Sequence, residues 1–120
     1  MANPSTGFGG AGTEVLRRAY SDSMSNSEVT LLTGVANHIL TVLTVIFTER
    51  SDAVRNVRMY VDADLSGNDI FLLEDQEIPP TGTFVYSDRF VLTETDKLLA
   101  TLMASGNVDV WISYIDQQLA

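Results

Sequence analysis

Between Arg55 and Asp62, Val57, Met59 and Val61 alternate with Asn56, Arg58, Tyr60 and Asp62. The same period returns over Val108–Ile115, where Val108, Val110, Ile112 and Tyr114 oppose Asp109, Trp111, Ser113 and Ile115. A period of two marks a strand with one buried and one wetter face. From Glu14 onward, short apolar runs recur at roughly ten-residue spacing, divided by turn-forming clusters at Ser21–Ser27, Ser51–Asp52, Asp64–Asn68, Pro79–Gly82 and Ser105–Asn107. The runs are Thr13–Tyr20, Glu28–Leu32, His38–Thr48, Arg55–Asp62, Asp69–Leu73, Gly82–Tyr86, Arg89–Leu92, Leu98–Met103 and Val108–Ile115. This spacing leaves no room for helical crossovers between parallel strands. The expected fold is all-β: an antiparallel, jelly-roll-like β-sandwich of about eight strands over residues 14–120, preceded by an extended, flexible N-terminal arm over residues 1–13. The arm reads MANPSTGFGGAGT, whose glycines and small residues cannot repay the entropy of ordering by burial.

Two stretches resist a simple reading. In His38–Thr48, Ile39, Leu43, Val45 and Phe47 line one face, but Leu40, Val42 and Ile46 make the other apolar as well. Trp111 and Ile115 likewise fall on a nominally outer face. Apolar residues clustered on two faces need a second cover, for which a neighbouring subunit competes with the arm or a loop folded back. The residues expected at such an interface are Arg17, Arg18, Leu40, Val42, Ile46, Trp111 and Ile115. The second stretch, Thr93–Gly106, carries helix signals: acids in its first turn, Leu, Ala and Met in its body, and a terminal glycine. Leu98, Ala100 and Leu102 also alternate, which favours a strand paired with Val108–Ile115 across Ser105-Gly106-Asn107.

The chain has 120 residues, one domain's length, with 7 Lys+Arg against 16 Asp+Glu and a net charge of −9. That balance argues against phosphate-backbone binding, which needs clustered cations, so no nucleic-acid partner is expected. The absence of cysteine excludes disulfides, thiolate nucleophiles and Cys-ligated metals. The first 13 residues hold neither a basic start nor an apolar run, so no signal peptide is expected. Val29–Thr48 lacks formal charge, but Gly34, Asn37, His38 and five threonines dilute it, and β-branched residues dominate its second half. Buried strands in a soluble chain are expected there, and no membrane partner.

Few residues offer chemistry. Asp62-x-Asp64-x-Ser66-Gly67-Asn68 matches the first half of a calcium-loop signature, in which alternate oxygens converge on a hard cation. The second half fails, since Asp69 and Leu73 stand where an aliphatic residue and a bidentate glutamate belong. The competing reading is a polar hairpin turn with positive φ. The acids from Asp62 to Glu77 then form a solvated edge. His38 is the only histidine, without a motif around it, and is expected to make a structural hydrogen bond. Arg17-Arg18 is expected in a salt bridge or an interface. Ile78-Pro79-Pro80 reads as a rigid corner that protects a sheet edge. No enzyme and no cofactor are expected.

Five segments, TEVLRR at 13–18, TLLTGVANHILTVLTVIFT at 30–48, EIPPTGTF at 77–84, FVLTETDKLLA at 90–100 and NVDVWISYID at 107–116, together resemble small β-sandwich virion structural proteins of tailed bacteriophages. One departure lies at Thr95-Asp96, where the family's usual glycine before the acid is missing. The resemblance implies a non-enzymatic virion component with no catalytic residues to carry over. Its first form is a capsid decoration or cement protein, a homo-oligomer (trimer or ring) on the capsid exterior, contacting the major capsid protein and assembled in the host cytoplasm. The alternatives are a neck, tail or fibre-associated protein, or a receptor- or glycan-binding sandwich using Trp111, Tyr114, Tyr86 or Tyr60.

Overall fold

The computed structural model describes residues 13–119 except Ser66. Residues 1–12 of the expected arm therefore lie outside the described residues, and Thr13, its last residue, begins the first strand. Nine strands follow in order: β1 Thr13–Met24, β2 Val29–Thr33, β3 His38–Glu49, β4 Arg55–Asp62, β5 Asp69–Ile78, β6 Thr83–Tyr86, β7 Phe90–Thr93, β8 Lys97–Leu102 and β9 Val108–Gln118. A 3-10 turn, Ala63–Leu65, links β4 to β5. No described helix is long and apolar enough to cross a membrane.

The strands form two antiparallel sheets. One runs β1-β9-β3, with β6 and β7 end to end along the far edge of β3; the other runs β2-β8-β4-β5. Counting β6 and β7 as one broken strand gives eight strands in two four-strand layers, the order of a jelly roll. Only β4 and β5 form a hairpin within one sheet; nearly every other connection passes from one layer to the other.

That topology corrects one expectation. Lys97–Leu102 is a strand, with Leu98, Ala100 and Leu102 buried as the alternation requires. It pairs with β2 and β4, however, not with β9. Alternation specifies which side of a strand is buried and is silent on which sheet the strand joins.

The core lies between the layers. Val45, Phe47, Val110 and Ile112 face Val57, Met59, Leu98 and Ala100, all 2% exposed or less. Burying each of the larger side chains stabilises the fold by roughly 1.5–3 kcal/mol.

The two-faced appearance of β3 has a backbone cause. Val42 pairs with Tyr114 and Thr44 with Ser113, so Leu43 is an extra residue with no counterpart on β9. Such a bulge reverses the alternation beyond it. Leu40 and Val42 point inward before it, Val45 and Phe47 after it. Leu40 and Val42 are 2% and 1% exposed in the core, which corrects their assignment to an outer interface. Ile46 does lie on the outer face. The bulge sits opposite the gap between β6 and β7, whose partners on β3 are Val45–Thr48 and Ile39–Val42.

Turns close the ends. The Thr93–Asp96 turn forms without the missing glycine: Glu94 takes φ 51°, and Asp96 Oδ2 accepts from Thr93 N at 2.9 Å. The other carboxylate oxygen of Asp96 accepts from Asp64 N at 2.9 Å, tying this turn to the β4–β5 hairpin.

Candidate interaction surface

The outward side chains of the first sheet line up across its strands. The register sets Tyr20 opposite Trp111, Trp111 opposite Ile46 and Ile46 opposite Val85, an apolar row across β1, β9, β3 and β6. A second row runs Leu16, Ile115, Thr41 and Val91. Leu16 is 69% exposed, Tyr20 60% and Trp111 45%. Between the rows lies Arg18, opposite Ser113. Its guanidinium carbon is 5.3 Å from the Tyr20 ring centroid and 5.4 Å from that of Trp111, within cation–π range. The two rings are nearly parallel, 16° apart with centroids at 6.0 Å. Beside them a shallow cleft of about 180 Å³ is bordered by Tyr20, Asp22, Ile46, Thr48, Asp109 and Trp111.

Four of the seven residues expected at an interface thus share this face: Arg18, Ile46, Trp111 and Ile115. Sequence reasoning missed Leu16, Tyr20, Val85 and Val91. Leu16 and Tyr20 were visible as apolar residues at even positions of the first run, on the same side as Arg18.

Arg17 points the other way. Its Nε donates to Asp116 Oδ2 at 2.9 Å, while His38 Nδ1 lies 2.6 Å from Asp116 Oδ1. An ionised carboxylate only accepts, so the imidazole donates. The cluster links β1, β9 and β3 at one end of the sandwich. The expected structural hydrogen bond of His38 and the expected salt bridge of Arg17 thus share one partner. Imidazole, carboxylate and guanidinium are turned on one another. Beside it, Asn37 Nδ2 donates to Leu119 O and Leu119 N to Asn37 O, pinning the end of β9.

The described residues of Asp62–Asn68 form a turn. Asp62 Oδ1 accepts from Gly67 N at 3.0 Å, and Gly67 and Asp64 take φ of 81° and 57°. Ser66, the third calcium candidate, lies outside the described residues. Among those described, no group of three or more His, Asp or Glu is placed to hold a metal ion. Of the aromatic residues considered for glycan contact, Trp111 alone is exposed. Tyr60 is buried beside Phe71 and donates to Glu28; Tyr86 and Tyr114 pack against the core. Burial first, then the Glu28 contact, pushes the Tyr60 hydroxyl well above its ordinary pKa.

No protein-family model and no curated protein matches the chain. Among solved structures, a Bacillus endospore appendage protein, from a family of disulfide-linked pili, aligns over 100% of this chain and 96% of its own, at 12% identity and a TM-score of 0.55. A protein of the acid-stable capsid of Helicobacter pylori bacteriophage KHP30 aligns over 91% of this chain and 94% of its own, at 9% identity and a TM-score of 0.55. At such identities the likeness is one of fold: the chain shares its β-sandwich with capsid and pilus proteins.

Proposed function

We propose that the chain is a non-enzymatic structural subunit of a tailed-bacteriophage virion, working as a decoration or cement protein on the capsid exterior. The observation that carries this reading is the pair of apolar rows across the outer face of the β1-β9-β3 sheet. Clustered exposed apolar residues of this kind mark interaction sites on folded subunits. The shared fold with a phage capsid protein and a pilus protein supports it, since both belong to assemblies. In this role the subunit self-associates and braces the major capsid protein, and its −9 charge keeps it from competing for packaged DNA.

Immunogold labelling of intact particles tests the placement. Label over the shell is the expected result; label confined to the neck, tail or fibres would move the subunit there, and unlabelled particles would remove it from the virion. A second reading has its own observation, the near-parallel Tyr20 and Trp111 rings beside Asp22 and Asp109, a combination suited to a sugar ring. Glycan-array binding that disappears in Trp111→Ala would establish that use.

A further inference from the structure

We infer that two copies of this chain join edge to edge through β1, in antiparallel register centred on Leu16, so that their two outer faces become one continuous surface. The inference rests on the reading of the chain as an assembly subunit and names the surface and register of its self-contact.

Among the described residues the two sheets present four open margins, and three of them are unsuited to strand addition. β6 and β7 are four residues each and separated by a gap. β2 has five residues and an irregular register between Thr30 and Leu32. β5 is longer, but it is interrupted twice against β4 and carries Asp69, Glu74, Asp75 and Glu77 without one cation. Short strands, bulges and like charges are the devices that keep an edge from pairing. β1 has none of them from Thr13 to Ser21, where it pairs with β9 without interruption. Its charges are mixed, with Glu14 and Asp22 against Arg17 and Arg18. It also carries Leu16 and Tyr20, the two most exposed large apolar side chains described.

Charge then selects the register. In a two-fold antiparallel pair each residue on the axis faces its own copy. Centring on Arg17 or Arg18 would set guanidinium groups against each other, and like charges directly opposite are unfavourable. Centring on Ala19 would place Leu16 against Asp22. Centring on Tyr20 would run the pairing through the irregularity between Ser21 and Met24, where Ser23 takes φ 55°. Centring on Leu16 stays within the regular segment, sets Leu16 against Leu16, and brings Arg18 opposite Glu14 on both sides of the axis.

The chain has no cysteine, so single cysteines report the register directly. Residues facing each other across an antiparallel pair have Cα atoms about 4.5–5.5 Å apart, within disulfide reach. At Arg18 the two copies would stand about 13 Å apart along the strand, out of reach. Under mild oxidation of the full chain, Leu16→Cys is expected to form covalent dimer at least tenfold faster than Arg18→Cys. Adding Arg18→Glu to Leu16→Cys should slow cross-linking at least tenfold, and adding Glu14→Arg as well should restore it. Sedimentation of the unsubstituted chain, which needs no variant to fold, should show a concentration-dependent dimer. Equal or faster cross-linking at position 18, or a monomer at every concentration, overturns the inference. A monomer that still labels the particle would overturn the edge pairing while leaving the virion role intact.

Discussion

His38 Nδ1 and Asp116 Oδ1 stand 2.6 Å apart, joining the first residue of β3 to the closing half of β9, its neighbour in the same sheet. Burial opposes the charge on Asp116, but the hydrogen bonds from His38 and Arg17 outweigh it and hold the carboxyl below its ordinary value of 3.8. A depressed folded pKa contributes stability that is present above the unfolded value and is lost as pH falls through the folded one. Asp116→Asn should therefore cost about 1.5–3 kcal/mol at neutral pH, the scale of hydrogen bonds to charged groups. The difference from the unsubstituted chain should shrink below about pH 4. Urea denaturation at several pH values checks this.

The bulge at Leu43 makes a contrast within one strand. Leu40→Ala should destabilise by about 2–5 kcal/mol, because it empties a closed core site. Leu43→Ala should cost less than half as much, its side chain being only half-buried. Similar losses at both positions, measured by denaturant unfolding, would remove the bulge from the account.

Gly34 lies where the backbone leaves no space. A Cβ there would come 2.5 Å from the Glu94 carbonyl oxygen, and the Gly34 amide donates to Asp96 O at 2.7 Å. Gly34→Ala should lower stability by about 1–3 kcal/mol, the usual range for overpacking. At Gly67 nothing lies within reach of an added Cβ, but φ is +81°. Gly67→Ala should cost about 1–2 kcal/mol through backbone conformation alone. The double substitution shows whether the Asp64–Asp96 hydrogen bond, which lies between the two sites, couples them; a loss differing from the sum is expected. Thermal melts of the three variants decide it.

Trp111 is the single tryptophan, and it lies on the candidate surface. Its fluorescence should be readily quenched by acrylamide in the free subunit, then shift to the blue and become protected on assembly. Trp111→Ala should change folding stability by less than about 1 kcal/mol while weakening assembly, since exposed positions contribute little to the fold. Unchanged quenching on particles would place the contact elsewhere.

The turn at Asp62–Asn68 predicts indifference to calcium. Asp62 already accepts from Gly67 N. The melting temperature should therefore be the same in chelator and in millimolar calcium; a rise with calcium would install a cation site there.

All nine strands were legible because turn residues punctuate the chain and side-chain period is a local property. Leu98, Ala100 and Leu102 revealed a strand against their own helix signals. What local pattern does not carry is the partner of a strand. The assignment of β8 beside β9 failed for that reason, and the meeting of Arg17, His38 and Asp116 was invisible because it depends on three strands far apart in sequence. Leu40 and Val42 were misplaced by one inserted residue, which no periodicity argument registers when the residue inserted is itself apolar. Trp111 and Ile115 were legible as outward residues because their own strand alternates cleanly around them.

The break between β6 and β7 has a consequence for growth. A sheet with two long, regular margins can add strands at both and lengthen without limit. Here the far margin is two short pieces with Ser87-Asp88-Arg89 between them. Whatever joins at β1, the sheet has no matching second end from which to continue. Strand addition at β1 would then be a terminating reaction, one that closes after a single step and resists running on into a fibre.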